Sequence, residues 1–165
     1  MTAKVYIHQF SSLSAAGDNA AYREAIFADK RLPLPWIDDF AEKRIRFGQI
    51  DERYLISEKT IKERFPHVLN DPTLRWGRGN RLAASLASPL LGNVNQLIEK
   101  YGADRVALVI GASVAGMTET ERFFFEGKND PAYRDTDLET YNPARSLKAI
   151  FKLKGPVYTL SLIHI

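Results

Sequence analysis

The spacing of apolar positions along the chain predicts an alternation of strands and helices. Lys4 to Gln9 alternates, with Val5 and Ile7 on one face and Tyr6 and His8 on the other, which predicts a strand. Ser11 to Gly17 reads as a small-residue loop, and Asp18 or Asn19 caps a short helix carrying Ala20, Tyr22, Ile26 and Phe27. Pro33 and Pro35 favour an extended connection. Asp38 to Phe65 mixes charged and apolar residues without a clean period and reads as short helices in an irregular surface excursion. Its charges, Lys43, Arg44 and Arg46 against Asp38, Asp39 and Glu42, suit a solvated face.

Asn80 is placed to cap a helix from Arg81 to Ser88, which Pro89 breaks or kinks. The helical period resumes from Leu90 to Tyr101, with Leu91, Val94, Leu97, Ile98 and Tyr101 on one face and Gly102 as its stop. This helix is expected to cover a sheet. Val106 to Ile110 is a continuous, β-branched apolar run, the pattern of a parallel strand buried on both faces. Small residues follow from Gly111 to Gly116, a turn that can lie beside a site at a strand's carboxyl end. Thr118 and Glu121 have capping-box spacing before a helix through Phe123, Phe124 and Phe125, three aromatics that suit a core or an interface. Asn142 before Pro143 opens a further helix with an apolar face of Leu147, Ile150 and Phe151, ended by Gly155. Pro156 to Ser161 then reads as a strand, which Leu162 to Ile165 would extend. Strands alternating with helices make this an α/β chain.

Length and composition narrow the class. The 165 residues suit one domain, and 45% hydrophobic with 26% charged residues is a globular balance. The net charge of +3 is mild, and no polybasic block or aromatic-interleaved basic stripe is present, so no nucleic-acid partner is expected. The absence of cysteine excludes disulfides, thiolate metal sites and a cysteine nucleophile within these residues. MTAKVYIHQF has no signal-peptide pattern, and no apolar run approaches the ~18 residues of a membrane span, so a cytoplasmic protein is expected.

Candidate chemistry centres on the small-residue turn. Met117 after Gly116 breaks a P-loop, and Ala112 and Ser113 stand where a dinucleotide fingerprint needs glycine. Gly111-Ala112-Ser113-Val114-Ala115 approaches a nucleophile elbow with alanine in its last place. On that reading Ser113 is the nucleophile of a serine hydrolase, needing an acid and a histidine downstream, and the one histidine that follows is His164. Arg75, Arg78 and Arg81 in RWGRGNR can hold an anion, or the glycines can simply turn the chain before a helix. His8 and His67 lack partners at metal-ligand spacing, and structural roles are expected of both.

Three stretches together resemble the amino-terminal part of a β-ketoacyl-acyl carrier protein synthase, a ketosynthase of the thiolase-like superfamily. They are VYIHQFSSLSAAGDN, YGADRVALVIGASVAGMTETERFF and NPARSLKAIFKLKGPVYTLS, similar in order and spacing to the family's opening strand and loop, its strand–turn–helix, and the helix and Gly-Pro strand before its nucleophile. The resemblance implies part of the amino-terminal half of a thiolase-like α/β/α layered fold. It also implies a cofactor-free condensation, with loss of carbon dioxide, of an acyl thioester with a malonyl group on acyl carrier protein, in fatty-acid or polyketide biosynthesis.

Gly111, Ser113, Val114 and Gly116 would line the acyl pocket, with Val114 facing the acyl chain. Acyl carrier protein and a second subunit, in a homodimer or a ketosynthase-like heterodimer, would be the partners. In the family the last strand runs into Thr-Ala-Cys, and two distant residues, usually histidines, support decarboxylation. Here Leu162, Ile163 and His164 follow Ser161, so no catalytic residue is assigned. The ending SLIHI resembles a translated sequencing-library adapter. Residues 1–161 are therefore expected to be the amino-terminal part of a ketosynthase domain and 162–165 a non-native or truncated tail. A non-catalytic, ketosynthase-like partner subunit is the alternative.

Overall fold

The computed structural model describes residues 4–29, 34–37, 43–112, 124–125 and 140–160. The chain divides into two compact units, Met1–Leu55 and Ile56–Ile165.

In the first unit, strands β1 (Leu13–Ser14) and β2 (Gly17–Asp18) form an antiparallel hairpin where a loop was expected. Gly17 enables it. Its φ of +109° suits glycine, and a Cβ there would lie 2.6 Å from the Tyr54 hydroxyl. Asp18 then caps helix α1 (Asn19–Phe27), its carboxylate accepting from the Ala20 and Ala21 amides. Asn19 instead ties back the preceding loop, its Oδ1 accepting from the Ser12 amide. Strands β3 (Trp36–Ile37) and β4 (Ile45–Arg46) form a second antiparallel hairpin, with Arg46 opposite and over the Trp36 ring. The strand expected at Lys4 to Gln9 is not formed. None of the described strands pairs with it, and Val5 and Ile7 are exposed, so alternation without a ladder partner has nothing to hold it extended.

The second unit holds the main described core. Helix α2 (Glu58–Arg64) is capped by Ser57, whose Oγ accepts from the Thr60 amide at 3.0 Å. It sends Ile61 and, just past its end, Phe65 inward, and a 3₁₀ turn at Pro66–Asn70 adds Val68. This part of Asp38 to Phe65 is therefore core, not a surface excursion. Its i, i+4 spacing was masked by Lys62, Glu63 and Arg64 on the outer face.

Helix α3 (Arg78–Ala87) starts earlier than expected, with Gly77 rather than Asn80 in the cap position. Asn80 turns inward. Its Nδ2 donates to the Arg75 carbonyl at 2.6 Å and to Asn142 Oδ1 at 3.3 Å. A 3₁₀ turn at Ser88–Leu90 takes the chain past Pro89 into helix α4 (Leu91–Tyr101), which Gly102 ends at φ +90°. On α4, Leu91, Val94 and Ile98 pack on the core, while Tyr101 is half exposed.

Strand β5 (Leu108–Gly111) pairs in parallel with β6 (Val157–Leu160), Leu108 opposite Val157 and Gly111 opposite Leu160. Helix α5 (Asn142–Phe151) packs on both strands and against α3. Tyr141, not Asn142, takes its cap position, because the Asn142 side chain is committed to Asn80. The helix closes at Lys152 rather than Gly155. Lys152 is left-handed at φ 54°, which lets its amide and that of Leu153 reach the Ala149 and Lys148 carbonyls. Leu147, Ile150 and Phe151 are buried as expected.

Strand β5 differs from the form expected of Val106 to Ile110. Only one face is covered among the described residues. Leu108 and Ile110 pack on the core, whereas Val109 is 59% exposed. A continuous apolar run does not distinguish one covered face from two.

Asn80 and Asn142 are a buried amide pair joining α3 to α5. Losing Asn80 leaves two acceptors without their donor, and Asn80→Ala is expected to cost about 1–3 kcal/mol. Adding Asn142→Ala to that background should cost less than it does in the wild type, since its partner is already gone. Denaturant midpoints of the four proteins check this, and strictly additive losses would contradict it.

Candidate functional site

In an open α/β sheet, parallel strands bring their carboxyl ends to one edge, where loops can hold a ligand. Here β5 and β6 end side by side. Gly111–Leu160 is the last described pair of the ladder, and the Ala112 amide donates to the Leu160 carbonyl at 3.0 Å. Gly111 is exposed, and among the described residues a Cβ on it would meet only the Leu160 carbonyl, at 4.0 Å. Of the four residues expected to line a pocket, Gly111 is thus on this edge. Ser113, Val114 and Gly116 lie outside the described residues, as do Thr118, Glu121 and Leu162 to Ile165. Phe124 and Phe125 are helical and exposed, which excludes the core role for these two.

The other candidates have structural explanations. His67 Nε2 lies 2.9 Å from the Ala149 carbonyl, holding the 3₁₀ turn at 66–70 to α5. His8 is exposed, with its ring 6.5 Å from that of Tyr6. The RWGRGNR segment turns the chain into α3 at Gly77, and Arg81 Nε donates to the Ile56 carbonyl at 3.0 Å. Among the described residues no group of three or more histidine, aspartate or glutamate side chains is placed to hold a metal. A surface groove is lined by Glu58, Lys59, Lys62, Glu63 and Leu69. Its lysines pair with its glutamates at i, i+4, which is a solvated helix face rather than a catalytic set.

A polar cluster that the chain's spacing did not reveal joins Asp71, Thr73 and Arg145. Asp71 Oδ1 accepts from the Thr73 amide at 2.9 Å and from the Thr73 hydroxyl, and the Arg145 guanidinium reaches both residues. The local signal for it in the sequence is Asp71-Pro72-Thr73, an Asx-turn pattern. Arg145 is distant in sequence. The Thr73 hydroxyl, more than the opposing desolvation, its amide or Arg145, holds the Asp71 carboxyl below its ordinary value.

A lowered folded value means stability that is fully present above the unfolded aspartate value of about 3.9 and lost as pH falls through the folded one. Asp71→Asn should therefore lower the denaturation midpoint at pH 7 modestly, as suits a carboxylate 44% exposed. Its difference from the wild type should shrink toward pH 3. A difference that stays constant between those pH values would contradict the assignment.

No protein-family model matches the chain, and no curated protein matches it. No helix among the described residues is long and apolar enough to cross a membrane.

Proposed function

We propose that this chain is part of a cytoplasmic β-ketoacyl synthase-type condensing enzyme, acting on acyl and malonyl groups carried by acyl carrier protein. The observation that supports the reading most is the parallel pairing of β5 with β6 through α5. The second resembling stretch supplies β5, and the third supplies α5 followed by β6. The described residues form a mixed α/β chain with one parallel strand pair, β5–β6.

On this reading the Gly111 to Gly116 turn borders the acyl chain, and Val114 faces it. The acyl group is carried as a thioester. The 165 residues contain no thiol, so the reading assigns the nucleophile to sequence following Ser161 in the full-length gene product. Loss of carbon dioxide from the malonyl group then leaves a carbanion. It attacks the thioester carbonyl, forming the new carbon–carbon bond and releasing the thiolate. A second subunit of the same or a similar kind completes the enzyme.

Incubation with acyl- and malonyl-carrier protein tests the proposal. The full-length gene product should release a β-ketoacyl-carrier protein, and the 165-residue chain alone should not. Val114→Phe in the full-length product should shift products toward shorter acyl chains. Condensation by the thiol-free chain, or none by the full-length product, would refute the reading.

A further inference from the structure

We draw no further inference here: the strongest candidate, the outer face of the β5–β6 sheet carrying Val109, Tyr158 and Leu160, is an unpartnered apolar face, and nothing in the structure shows what covers it.

Discussion

Replacing Gly155 by alanine is expected to destabilise the Ile56–Ile165 unit by about 3 kcal/mol, the upper end of the usual cost of overpacking. Gly155 lies between the end of α5 and the start of β6, where the chain passes directly against the segment leading into β5. The Lys154 and Gly155 amides both donate to the Ala103 carbonyl, at 3.0 and 2.9 Å. A Cβ on Gly155 would collide with the Val106 carbonyl oxygen and lie 2.9 Å from that of Asp104. Both obstacles are backbone, so no rotamer change relieves them. The segments must separate, and the parallel ladder that begins with the Leu108 amide on the Pro156 carbonyl loosens with them. Gly79→Ala is the control. It lies within α3 with nothing among the described residues within 4 Å of its Cβ position, so alanine there should be neutral or stabilise by up to ~1 kcal/mol. Equal denaturant midpoints for Gly155→Ala and the wild type would show that the close approach does not exist.

A comparable loss is expected from Ile61→Ala. Ile61 is completely buried, in one cluster with Phe65, Trp76, Ile150 and Phe151. Removing three of its carbons gives up transfer free energy and leaves a cavity that α2, α3 and α5 cannot all close upon. The expected cost is about 2–5 kcal/mol. Ile26→Ala is the comparison, because Ile26 on α1 is 58% exposed and truncation there should change stability by only about 0.5 kcal/mol. Similar midpoints for the two variants would place Ile61 at the surface, as the charge-rich segment around it suggested.

What the chain showed in advance was set by local chemistry. Asp18 before α1, Gly102 after α4, Pro89 between two helices and the apolar face of α5 each act within a turn or two of themselves, and each appears where the pattern put it. Features fixed by distant partners were not legible. Asn80 looks like a cap until the Arg75 carbonyl and Asn142 stand beside it, 62 residues from Asn142 in the chain. In the hairpin β1–β2, Tyr54 lies close over Gly17, and nothing in Ser11 to Gly17 announces that approach. The candidate site was legible only as a place, the carboxyl end of a strand followed by small residues. Gly111 occupies that place. Ketosynthase chemistry, by contrast, was read from the resemblance of three stretches and not from any arrangement of side chains.

The most direct test of the condensing-enzyme proposal is intact-protein mass spectrometry of the full-length gene product after incubation with acyl-carrier protein, followed by mapping of the modified residue. The expected result is one acyl group held as a hydroxylamine-labile thioester on a cysteine that follows Ser161. An acyl ester on Ser113, or a product that takes up no acyl group, would contradict it.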